Sequence, residues 1–99
     1  MTVLEGRAAP HRLLVEDRQG QRRKLREALS GRYVLDEQAD PQQALFLAAE
    51  RDYDLVIVSM DLTAFDSLRL CSQLRSLERT RLLPILMIIL FGFGITTEI

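Results

Sequence analysis

Four short apolar runs alternate with three amphipathic stretches, and this alternation restricts the possible fold more than any other feature of the chain. Leu13-Leu14-Val15, Tyr33-Val34-Leu35, Leu55-Val56-Ile57-Val58 and Ile85 to Leu90 are each too short for a helix and apolar at consecutive positions. A strand with one wet face would alternate apolar with polar residues. Continuous runs indicate strands covered on both faces. Between them, Leu25, Ala28 and Leu29, then Ala44, Leu45, Ala48 and Ala49, then Leu70, Cys71, Leu74 and Leu77 recur at the three-to-four spacing of a helix with one apolar face. The order β-α-β-α-β-α-β predicts a three-layer α/β fold. Its parallel sheet has strand order 2-1-3-4, with helices on both faces.

Local punctuation sharpens the elements. Asp17 is placed to cap the first helix, which runs from Arg18 to Ser30, and Gly31 suits a left-handed closing residue. Asp40-Pro41 opens the second helix: the aspartate caps free amides and proline fits the first turn. Asp66 caps a third helix that runs to about Leu77, and Pro84 opens the fourth strand.

A chain of 99 residues makes one domain, expected here over residues 11–99, with residues 1–10 a loose leader and 91–99 an apolar tail. With 47% hydrophobic and 27% charged residues the chain is globular rather than disordered. A net charge of −1 supplies no field that favours nucleic acid. Cys71 is the single cysteine, so no internal disulfide or thiolate cluster can form, which indicates a reducing, cytoplasmic compartment. No apolar stretch follows Met1 as a secretory signal would, and Leu82–Ile95 falls short of the ~18 residues of a membrane span.

In open parallel sheets chemistry gathers at the carboxyl ends of the strands. Glu16, Asp17 and Ser59 all fall there. Adjacent carboxylates can bind a hard divalent cation, although an acidic dipeptide before a helix serves equally well as its cap.

The runs Arg12-Leu-Leu-Val-Glu-Asp17, Asp54-Leu-Val-Ile-Val-Ser59 and Leu83-Pro-Ile-Leu-Met-Ile88 together resemble a response-regulator receiver domain of the CheY type, a flavodoxin-like fold. The stretch Phe65 to Arg81 is similar to the degenerate second receiver of PleD-type proteins, which end in a GGDEF diguanylate cyclase. The resemblance covers about residues 11 to 90. It implies that Glu16 and Asp17 match the acidic, magnesium-binding pair, that Ser59 occupies the phosphoacceptor slot, and that Ile89 falls on the switch position usually held by threonine or serine. The family's lysine has no counterpart, since the single lysine is Lys24, far upstream.

The chemistry of Ser59 reads as loss. An aspartate carboxylate is anionic at neutral pH and attacks directly. A serine hydroxyl needs an adjacent base. His11, the single histidine, precedes the first strand, which argues against a serine-nucleophile enzyme. Asp61, two residues beyond Ser59, reads as a solvated loop carboxylate, with a displaced acceptor as the alternative. The cluster Arg18, Arg22, Arg23, Lys24 and Arg26 reads as the solvated face of a helix.

The resulting expectation is a noncatalytic pseudo-receiver of a phosphorelay, with no cofactor or a weakly bound magnesium. It would act as a dimerisation adaptor beside a conventional receiver and a GGDEF output. The rival is a magnesium-binding receiver that takes phosphate on an unconventional residue.

A full receiver continues past its fourth strand with a helix, a fifth strand and a fifth helix, so the domain is expected to be truncated. Ile95-Thr96-Thr97-Glu98-Ile99 has strand composition, yet a parallel neighbour requires a crossover of about a dozen residues. The tail can fold back as an antiparallel hairpin through its glycines, extend the fourth strand, pair with another molecule, or be a truncation artefact. A fourth strand left as an open apolar edge predicts self-association.

Overall fold

The computed structural model describes residues 9–29, 31, 33–63, 65–91 and 94–98, with side chains through Ile89; the expected leader lies almost wholly outside them. The elements follow the predicted alternation: β1 (His11–Val15), α1 (Gln19–Ala28), β2 (Val34–Gln38), α2 (Pro41–Glu50), β3 (Leu55–Ser59), α3 (Ser67–Ser76), β4 (Ile85–Phe91) and β5 (Gly94–Glu98). They form one sheet of order β2-β1-β3-β4-β5. The first four strands are parallel and in the expected order.

The fifth strand departs from the expected open edge. It pairs antiparallel with β4, Phe91 opposite Gly94 and Met87 opposite Glu98. The hairpin needs no crossover, which is why so short a segment can reach the sheet. Of the conformations left open for the tail, the chain takes the antiparallel fold-back. β4 is therefore an interior strand, and the edge is β5.

The apolar runs bury both sheet faces. Leu13, Val15, Val56 and Val58 face α2 and α3, where Ala44, Ala48, Leu70 and Leu74 pack against them. Leu14, Ile57 and Ile88 face the other way, against Leu25 of α1. The alternation of side-chain direction along a strand sends consecutive apolar residues into two separate cores. Each fully buried leucine contributes about 2 kcal/mol relative to an exposed one.

The caps divide. Asp40 accepts from the Gln42 amide at 2.9 Å with Pro41 in the first turn, and Asp66 accepts from Leu68 and Arg69 at 3.0 and 3.4 Å. Asp17 does not cap α1. The N-cap is Arg18, whose side chain makes no capping hydrogen bond. Nor does Gly31 terminate the helix, whose C-cap is Leu29. Gly31 is instead a point of close approach: a Cβ there would lie 2.7 Å from the Tyr33 ring.

Candidate functional site

The ends of β1, β3 and β4 bring the expected positions to one side of the sheet. Glu16 follows β1, and its amide donates to Gln38 O at 3.2 Å, which continues the β1–β2 ladder by one residue. Val15 pairs with Val58, so Glu16 and Ser59 occupy the next step on neighbouring strands. Ser59 pairs with Ile88, and Ile89 follows one residue on. The three slots are thus contiguous.

Ser59 is buried at 2% exposure. Its Oγ accepts the Asp61 amide at 3.2 Å, and its carbonyl accepts the Ser67 hydroxyl at 2.6 Å. The side chain therefore holds the loop after β3 rather than facing an incoming group. Ile89 is half-buried and offers no hydroxyl to a ligand. His11 lies at the other end of the sheet, where its amide donates to Asp54. Five residues of strand at ~3.3 Å each separate its level from that of Ser59, about 16 Å. No serine–histidine pair forms.

The acidic pair splits. Asp17 accepts the Thr63 amide with both oxygens, at 3.1 and 2.9 Å, and so ties the end of β1 to the loop after β3. This contact explains why it does not cap α1. Glu16 is completely buried. Its Oε2 accepts the Arg18 amide at 3.1 Å, and its Oε1 accepts from Arg18 Nη2 at 3.4 Å. The same Nη2 lies 3.7 Å from Asp61 Oδ2. A guanidinium thus stands between two carboxylates that sequence alone assigned to a metal ligand and a loop. Among the described residues no three His, Cys, Asp or Glu side chains gather to hold a metal ion. Tested against a resident magnesium, the donor set fits poorly: Glu16 is turned to an arginine, Asp17 to a backbone amide, and the third position is a serine.

The basic cluster is not simply a solvated face. Besides Arg18, Arg22 donates to Glu16 O at 3.1 Å and lies 3.6 Å from Glu37, and Arg26 forms a two-pronged pair with Glu37. That pairing raises the Arg26 pKa further. Arg22, Arg23 and Arg26 line a hollow with Gln19 and Gly20, but two of the three are already matched by Glu37.

Two other groups are perturbed. Burial, aided by a 2.6 Å hydrogen bond to Asp36, pushes the Tyr53 phenol up to about 12. Burial also raises the Cys71 thiol, so it is a poor nucleophile.

An α/β sheet of this order, with its chemistry at three adjacent strand ends, defines a class, and residues 13–92 match the response regulator receiver domain family. The chain belongs to that family: it is a receiver domain of two-component signalling. Among solved structures, the chain is similar to the Vibrio cholerae chemotaxis protein CheY4, with 24% identity, 81% of this chain and 68% of that one covered, and a TM-score of 0.71. A sensor protein from Polaromonas sp. JS666 aligns at 32% identity over 81% of this chain and 65% of that one, with a TM-score of 0.73. A receiver protein from Pseudomonas putida aligns at 22% over 84% and 69%, with a TM-score of 0.71. No curated protein gives a significant match. Among the described residues no helix is long and apolar enough to cross a membrane.

Proposed function

We propose that this domain is a pseudo-receiver, a signalling module that takes no phosphate and works as a dimerisation adaptor. The observation that carries the reading is Ser59. The phosphoacceptor slot holds a buried hydroxyl whose oxygen is committed to the Asp61 amide, with no histidine within reach. Ile89 in the switch slot points the same way, because phosphate-dependent switching in this family uses a hydroxyl there. Magnesium binds feebly at most, since Glu16 and Asp17 are engaged within the chain. By the likeness of Phe65–Arg81 to PleD-type second receivers, the partners are a neighbouring conventional receiver and a GGDEF diguanylate cyclase. The cyclase would carry the catalysis. Self-association has a candidate route in the β5 edge, whose outer backbone groups face no strand of this sheet.

The test is incubation with acetyl phosphate and magnesium followed by intact mass. The expected result is an unchanged mass of 11.3 kDa. A stoichiometric gain of one phosphoryl group would refute the reading in favour of an unconventional acceptor. Asp61 is the candidate for that role, and its pairing with Arg18 argues against it.

A further inference from the structure

The corner at the end of β1 contains a cation that belongs to the chain. Glu16 has no exposure, and a carboxylate taken so far from water is accommodated only with charged or hydrogen-bonded partners. Arg18 provides both, through its amide at 3.1 Å and its guanidinium at 3.4 Å. The guanidinium is one-third exposed and reaches Asp61 as well, 3.7 Å away on the loop after β3. Its Nε is buried and donates to no described group, and both carboxylates meet the head at one nitrogen, Nη2. Arg22 closes the arrangement by donating to the Glu16 carbonyl at 3.1 Å.

We propose that Arg18 is the tethered cation of this corner: its guanidinium neutralises Glu16 and Asp61 and joins the loops after β1 and β3, which makes the domain independent of a divalent ion. A guanidinium suits the task because it is always charged and presents several donors in a fixed plane. A tethered charge is also supplied by the chain itself, whereas magnesium must come from solution and gives up its water reluctantly. The corner that matches the family's magnesium-binding pair is thereby converted into a fixed structural joint. This inference rests on the reading of the corner as inactive toward phosphate. It is separable from that reading, because mass after acetyl phosphate tests the acceptor and cation titration tests Arg18.

The experiment compares the full chain with Arg18→Gln and Arg18→Lys. Thermal unfolding is measured in chelator and in 10 mM MgCl2, and Mn2+ binding is followed by the paramagnetic signal of the free ion. The parent is expected to melt at the same temperature in both buffers. Arg18→Gln keeps a polar side chain, shorter by two bonds, and loses the charge. It should melt lower in chelator, recover in MgCl2, and bind Mn2+ at least tenfold more tightly than the parent. Arg18→Lys keeps the charge and should remain indifferent to magnesium. Failure of Arg18→Gln to fold in chelator with rescue by MgCl2 also supports the proposal. An Arg18→Gln variant with the parent's Mn2+ affinity overturns it, as does a parent that is stabilised by MgCl2 as much as the variant. Unfolding of both variants whatever the magnesium concentration overturns it too, because Arg18 would then serve packing rather than charge.

Discussion

Replacing Ser59 with aspartate would put a carboxylate in the proposed acceptor slot, and the structure sets its cost. Ser59 is buried and stands one strand over from Glu16, which is completely buried. Neighbouring strands lie ~4.8 Å apart, so the introduced carboxylate would sit about 5 Å from that of Glu16. Two like charges at that distance repel by about 3 kcal/mol at an effective dielectric constant of about 20. Arg18, already 3.4 Å from Glu16, offsets part of this, which leaves a loss of about 2 kcal/mol. Urea unfolding in chelator would report it. With a slope of about 1.3 kcal/mol per molar for a chain of this size, the midpoint should fall by about 1.5 M. Magnesium should then give back part of the loss. A third carboxylate improves the donor set, and recovery of about 1 kcal/mol in 10 mM magnesium corresponds to a dissociation constant of about 2 mM. If Ser59→Asp matched the parent in chelator, or if magnesium stabilised the two equally, the placement of these slots side by side would be wrong.

Tyr53→Phe should lose about 1 kcal/mol at pH 8, because it removes a 2.6 Å bond to a carboxylate that water reaches only in part. The raised Tyr53 pKa means that this contribution is complete below pH 10 and is lost as pH rises through about 12. The gap between Tyr53→Phe and the parent should therefore narrow by about 1 kcal/mol between pH 8 and pH 11 in urea titrations, and a constant gap would count against the assignment. Asp66→Ala should cost about 1 kcal/mol by freeing the first amides of α3, and Asp66→Asn much less. Thermal unfolding would show the alanine variant melting about 5 °C lower.

The parallel sheet was legible because its evidence is local. Consecutive apolar residues in Leu55–Val58 can only be accommodated with a layer on each side, and Asp40-Pro41 and Asp66 name their helices within two or three residues. The errors came from contacts that local reading does not reach. Asp17 looked like a cap, but Thr63, 46 residues away, claims its carboxylate. Arg18 looked like one of five solvated charges, and nothing in helical spacing separates it from Arg23. The available signal was its position directly after an acidic pair, where the chain turns back over the strand end. The three slots are proposed from the family pattern, and what the structure adds is the side-by-side register of Glu16, Ser59 and Ile89. The tail stayed open between several fates because Gly92 and Gly94 permit a reversal without requiring one; the pairing of Phe91 with Gly94 is what decides it.

The connection from α3 to β4 has a consequence for how the domain opens. Arg75 Nη1 donates to the carbonyls of Thr80, Arg81 and Leu83, at 3.4, 3.0 and 2.5 Å, and the buried Thr80 hydroxyl donates to Leu74 O. The last turn of the helix and the entry to the strand are therefore fastened as one piece, without a slack loop between them. Local opening takes place in contiguous cooperative units, and this fastening joins α3 and β4 into a single unit. Amide protons of Leu74 and Ile85 should exchange together, at one common rate. The slot at Ile89 is then carried on a strand whose position is set by a helix on the opposite side of the loop. A mutation on α3 that touches no member of the corner can still shift the corner by moving that strand.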